Sequence, residues 1–131
     1  MAVQVVEVGP VALEWEAETR AAALRFTERG EGGRAEAEAL VGQLRAWVGE
    51  PPAPYSLLVD CSEMVDVDAS WRATWGEHFR AHRDVSTLAW FNANHRIQLI
   101  VLMFIKGTGV RGQVFEREDE ARRYLADQRN G

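Results

Sequence analysis

The stretch Leu57-Leu58-Val59-Asp60-Cys61-Ser62-Glu63-Met64-Val65-Asp66-Val67-Asp68-Ala69-Ser70 decides how the chain is to be read. Its first four residues are a short apolar run closed by an acid, the pattern of a strand covered on both faces. Asp60, Glu63, Asp66 and Asp68 cluster beyond the C-terminal end of that strand. From Ser70 to Arg83 the period changes, and Trp71, Trp75 and Phe79 fall on one side of a helix together with His78 or His82. A buried strand followed by a loop and an amphipathic helix is one unit of a layered α/β fold.

Upstream, Val11, Leu13, Trp15 and Ala17 alternate with Ala12, Glu14, Glu16 and Glu18, which is the period of a half-buried strand. Val3 to Val8 forms a weaker strand before it, with Gly9-Pro10 as the turn, and Ala22, Leu24 and Phe26 repeat the alternation. Three strands in succession predict an antiparallel meander. After Gly30-Glu31-Gly32-Gly33, Ala37, Leu40, Val41, Leu44, Trp47 and Val48 share one helical face, which Gly49 and Pro51-Pro52-Ala53-Pro54 bring to an end. Downstream, Thr87 to Phe91 is a second buried strand, and Asn94 to Lys106 is a helix by its length. Gly107 to Gly112 then reads as a loop, Gln113 to Phe115 as a strand and Glu118 to Asp127 as a closing helix. Strands alternating with helices imply parallel pairing in the second half. The expected fold is α/β, one domain over residues 1–131 with a single mixed sheet of five to six strands and about four helices.

The 131 residues carry 15 basic and 20 acidic side chains, a net charge of −5, which argues against nonspecific nucleic-acid binding, since that needs a basic face to neutralise phosphates. The longest uninterrupted apolar run, Leu99 to Ile105, falls far short of the roughly 20 residues of a membrane span. No basic and apolar leader opens the chain, and its single cysteine, Cys61, allows no internal disulfide; both lead to the expectation of a cytoplasmic protein.

Chemistry-bearing motifs are sparse. Gly107-Thr108-Gly109-Val110-Arg111-Gly112 fits the dinucleotide pattern by spelling, but it follows a helix and precedes a strand, the reverse of the context that pattern needs. His78 and His82 stand at i and i+4 without the third ligand of a metal site and read as partly exposed helix residues beside an aromatic face. The acids Asp60, Asp66 and Asp68 lack the lysine or glycine cradle of a magnesium phosphate site, and read as caps and loop residues. Cys61 reads as a small buried residue. No coherent catalytic set emerges, and no cofactor is expected.

The stretch from Leu57 to Ser70 resembles the central motif of STAS domains, named for sulfate transporters and anti-sigma factor antagonists. In that family a buried strand ends in Asp-Leu-Ser, a loop punctuated by hydrophobic residues follows, and Asp-Ser-Ser-Gly opens a helix. Here Asp60-Cys61-Ser62 is followed by Val65 and Val67 and then by Asp68-Ala69-Ser70-Trp71. Val114-Phe115 and Glu118-Asp119-Glu120-Ala121 with Leu125 are similar to the last strand and helix of the same family. The resemblance implies a STAS-like fold and a non-enzymatic regulatory module whose partner is a protein, a kinase or an anti-sigma-like regulator. It implies that Ser70, with Asp68 beside it, is the phosphorylation switch, while the residues by themselves read Ser70 or Asp68 as the cap of the helix, and it implies that Trp71, Trp75 and Phe79 belong to the partner interface. Ala69 stands where the family has its first serine, and Trp71 where it has glycine.

The run Ile97 to Ile105 is apolar on every face and must be covered on every face. Leu99, Leu102, Met103 and Ile105 are therefore expected at a homodimer or partner surface, with full burial under flanking helices as the alternative. STAS-like folds also grade into the lipid-binding fold of the Sec14 group. A carrier or sensor of a small hydrophobic ligand is the second functional reading, and it requires an apolar cleft of a few hundred Å³ between this helix and the tryptophans.

Overall fold

A computed structural model describes residues 3–130. The alternating N-terminal third forms three strands, β1 (Val3–Val8), β2 (Val11–Glu16) and β3 (Ala21–Phe26), paired antiparallel with Leu13 opposite both Val6 and Leu24. A short strand β4 (Gly30–Gly32) and helix α1 (Arg34–Val48) follow. The buried run of the central motif is β5 (Tyr55–Asp60), and its loop contains a further strand, β6 (Met64–Val67), before α2 (Ala69–Ala81). Strand β7 (Ser86–Phe91), helix α3 (His95–Thr108), strand β8 (Arg111–Phe115) and helix α4 (Glu118–Asn130) complete the chain.

The main sheet runs β1-β2-β3-β5-β7-β8, antiparallel as far as β3 and parallel from β3 to β8, so the expected mixed sheet has six strands and four helices beside it. Two expectations need correction. The Gly30–Gly33 segment, given no element in the sequence, and the acidic loop contain β4 and β6, which pair with each other in a parallel two-stranded sheet. Strands of three and four residues are too short to show a period. The loop expected over Gly107–Gly112 is also shorter. Helix α3 runs to Thr108, Gly109 closes it in the left-handed conformation (φ 74°) with its N–H on the Ile105 carbonyl, and β8 begins at Arg111.

Alternation sorts the sheet residues into two cores. Leu13, Trp15, Leu24, Leu57, Val59, Leu88 and Trp90 face α1, α2 and α3, together with Leu40, Leu44, Phe79 and Ile97. Leu58, Ala89 and Phe91 face the other way and pack under Ala121 and Leu125 of α4, which lies over β5, β7 and β8. Each fully buried large apolar side chain contributes about 1.5–3 kcal/mol. Arg20 (φ 52°), in the β2–β3 turn, fixes the proline-rich loop by donating to the carbonyls of Val48, Ala53 and Pro54, while its guanidinium lies 5.5 Å over the Trp15 ring.

Candidate functional site

The short β4–β6 ladder brings the starts of α1 and α2 side by side. Asp68 donates its N–H to the Gly32 carbonyl, and its carboxylate accepts the Trp71 N–H at 2.8 Å as the N-cap of α2. At the start of α1 the Glu36 carboxylate accepts the Gly33 N–H at 3.0 Å. Both helix N-termini therefore already have an acid in place. Ser70, the second residue of α2, is half-buried and faces a groove of about 530 Å³ between α1 and α2. Arg34, Glu38 and Arg45 line the α1 wall, and Ala73, Thr74 and Glu77 the α2 wall. The structure assigns the cap to Asp68, which leaves the Ser70 hydroxyl to the groove.

Trp71, Trp75 and Phe79 are expected at a partner interface, and the structure places them in the core instead. They are 7%, 5% and 1% exposed. Trp71 lies against Phe26 and Trp75, and Trp75 stacks on Phe79 at 5.8 Å. Trp71 also covers Gly32 so closely that a Cβ there would stand 2.7 Å from the indole. The stripe is real, but what covers it is the sheet and α3. The solvent face of α2 is instead Ala73, Glu77, Arg80 and Ala81.

The apolar run of α3 divides. Leu99, Leu102 and Met103 are 63%, 56% and 70% exposed, while Ile105 is half-buried against the core with Ile100 and Phe104. Full burial by flanking helices is thereby overturned. The cleft between α3 and the tryptophans does exist, lined by Trp71, Trp75, Phe79, Trp90, Ile97 and Phe104, but its volume is about 60 Å³. At roughly 10–15 Å³ per water this is the room of about four to six waters. It is too small for the lipid or hydrophobic cargo that the carrier reading requires.

The acidic cluster is also dispersed by the fold. Asp60 accepts the N–H and hydroxyl of Ser62, whose oxygen takes a hydrogen bond from Asn92 at 3.1 Å. Asp66 pairs with Arg96 at 2.9 Å, and that hydrogen bond holds its carboxyl below the usual range. Among the described residues no group of three or more His, Cys, Asp or Glu is arranged to hold a metal. Burial, reinforced by Asp60, pushes the Cys61 thiol up to about 12, so it is protonated at neutral pH.

One cluster has no counterpart in the sequence reading. The Tyr55 hydroxyl lies 2.9 Å from His78 Nε2 and 2.7 Å from His82 Nδ1, all three side chains buried, and Arg45 Nε donates to His78 Nδ1 at 3.4 Å. The imidazoles expected to be partly exposed are 1% and 6% exposed. The arginine fixes the protons: His78 accepts at Nδ1 and donates from Nε2 to Tyr55, which donates onward to His82. Burial, then His82, lowers His78 to about 3; burial also lowers His82 and raises Tyr55. The i, i+4 spacing of the histidines is the only trace in the sequence, since Tyr55 lies 23 and 27 residues away.

A family model described as SpoIIAA-like matches residues 21–126. No curated protein shows a significant match. Among solved structures, a protein of the DUF3478 family with a SpoIIAA-like fold from Shewanella loihica PV-4 superposes with a TM-score of 0.65 at 13% identity, covering 95% of this chain and 92% of its own. The anti-sigma factor antagonist SpoIIAA in its unphosphorylated form gives 0.60 at 13% identity, over 95% of this chain and 98% of that one. SiaC of Pseudomonas aeruginosa gives 0.59 at 8% identity, over 88% and 100%. At these identities the likeness is one of fold.

Proposed function

Because the chain belongs to the SpoIIAA-like family, we propose that it is a non-enzymatic regulatory module that binds a protein partner along the α1–α2 groove, with Ser70 as its switch. The observation that carries this reading is the division of labour at the start of α2. Asp68 caps the helix, so the neighbouring hydroxyl opens onto the groove without a structural duty there. One neighbour of the same fold is described in an unphosphorylated form, which makes a hydroxyl at this place the group to test. Phosphate on Ser70 adds about −1.5 to −2 charge beside Asp68 and Glu36, at helix ends whose acids are already in place. Its stable position is outward, into the groove, where Arg34 and Arg45 balance Glu38 and Glu77 and the added charge makes the lining net negative. The partner is accordingly a kinase or an anti-sigma-like regulator that distinguishes the two charge states.

The test is phosphosite mapping on protein from its own host, combined with affinity capture by the purified chain, Ser70→Ala and Ser70→Asp. A phosphate on Ser70, with a partner retained by Ser70→Ala and at least tenfold weaker with Ser70→Asp, is the expected result. Equal capture by all three removes the switch. Equal capture by a Thr74→Arg/Glu77→Arg variant removes the groove.

A further inference from the structure

The large hydrophobic side chains exposed among the described residues are five, and they form two groups. Leu99, Leu102 and Met103 lie on α3, and Val3 and Val5, at 48% and 53%, on the edge strand β1. Their electrostatic surroundings are opposite. From Ala69 to Gly112 the chain has six basic and two acidic residues, net +4, while the remainder has nine basic and eighteen acidic, net −9. On α3 itself, His95, Leu99, Leu102, Met103 and Lys106 make one stripe at i, i+4, i+7, i+8 and i+11, and no acid occurs along the helix. Val3 and Val5 are paired directly with Glu16 and Glu14.

The second group borders a trough. Alternation places Val3, Val5, Glu14, Glu16, Ala21 and Ala23 on the same outer face of the sheet as the residues under α4. That helix lies mainly over β5, β7 and β8 and packs against Ala23 of β3, with β1 and β2 beyond its margin. What is left is a depression of about 360 Å³ with an alanine floor, Glu14 and Glu16 on one wall, Glu14 already paired with Arg25 at 3.4 Å, and α4 as the opposite wall. On that far wall Arg122 is already paired with Glu118 at 2.6 Å, and Arg129 is its other cation. The parallel half of such a sheet is covered by helices on both faces, whereas an antiparallel half can leave one face to water. Here the antiparallel half is open on one face, where Glu7 and Glu16 stand beside Val3 and Val5, and elsewhere on the same chain one helix presents an uncovered apolar stripe that ends in Lys106.

We propose that α3 of one copy docks into the β1–β3 trough of a second copy, with Leu99, Leu102 and Met103 over the alanine floor and Lys106 toward Glu16. Helix α3 is about 21 Å long at 1.5 Å per residue, comparable with a six-residue strand. The two patches lie on opposite faces of the sheet, so each contact leaves one α3 and one trough free. The association is head to tail and continues with concentration. A contact of one helix belongs to the small, reversible class of interface.

Sedimentation over a concentration series tests this with two variants at exposed positions, Leu99→Gln/Met103→Gln and Val3→Lys/Val5→Lys, each checked for native circular dichroism. The wild-type chain is expected to grow past a dimer, less so as salt rises and the screening length shrinks from about 10 Å at 0.1 M to about 3 Å at 1 M. Each variant alone is expected to be monomeric, with self-association weakened at least tenfold. Mixed in equal amounts they are expected to form a 1:1 pair and nothing larger, because the mixture has one sound α3 and one sound trough. A wild-type monomer at all concentrations overturns the proposal, including one that instead floats with anionic phospholipid vesicles. So does a Val3→Lys/Val5→Lys protein that dimerises alone, which would mean α3 against α3, or a mixture that stays monomeric.

Discussion

Tyr55 serves two imidazoles with one hydroxyl, and that arrangement has consequences in stability and in pH. Tyr55→Phe leaves His82 Nδ1 and the His78 Nε2–H buried without their partner. Such a loss costs about 1–3 kcal/mol, readable as a lower urea midpoint with unchanged slope. The histidines are neutral in the folded state because burial lowers them, His78 to about 3, whereas the unfolded chain titrates near 6.5. Between those values the unfolded state holds more protons, so stability is full above about pH 6.5 and declines as pH falls toward 3. The slope is at most about 1.4 kcal/mol per pH unit for each histidine. Unfolding free energies measured from pH 7.5 to 4.5 should show this decline, and His78→Gln should flatten it; an unchanged profile would mean the imidazole does not titrate on unfolding. The caps offer a second contrast. Asp68→Ala is expected to cost about 1 kcal/mol and Ser70→Ala less than about 0.5 kcal/mol, since only the aspartate holds the Trp71 N–H. Equal losses would mean that Asp68 does not carry the cap alone.

Among the elements, two glycines show how tightly the layers meet. A Cβ on Gly112 of β8 would stand 2.9 Å from the Trp90 ring and 3.2 Å from the Leu88 carbonyl, and the second of these is backbone that cannot swing aside. Gly112→Ala is therefore expected to lower stability by about 1–3 kcal/mol by thermal or urea unfolding, while Gly42→Ala on α1, with open space around it, should stabilise by about 0.5–1 kcal/mol. The same layers explain what could be read from sequence. The meander and α1 were legible because period two and period 3.6 are set by the side a residue faces, whereas β5 and β7 were read as short continuous apolar runs and α3 by its length. Strands β4 and β6 were not, being stabilised mainly by each other and by the chain around them. At the site, Asp68 and Ser70 could be placed at a helix start from their local pattern. The fate of Trp71, Trp75 and Phe79 could not, because an apolar stripe has the same spacing whether a sheet or a partner covers it. Tyr55 met its histidines only through the packing of β5 against α2.

For the whole molecule, the charge is polarised, with the region from α2 to the start of β8 cationic and the rest acidic. Among the described residues no helix is long and apolar enough to cross a membrane. The uneven cover of the sheet also sets a gradient of order across it. Strands β5 and β7 lie between helices on both faces and between strands on both edges, whereas β1 has a single neighbour and an outer face open to water. Amide hydrogen exchange should therefore be slowest in Leu57–Val59 and Leu88–Trp90, at rates close to those of global unfolding, and fastest in β1, whose backbone bonds open by local fraying. The strand that exchanges first carries Val3 and Val5. Its protection factors thus report directly on whether that side of the sheet is occupied, even when the rest of the chain is unchanged.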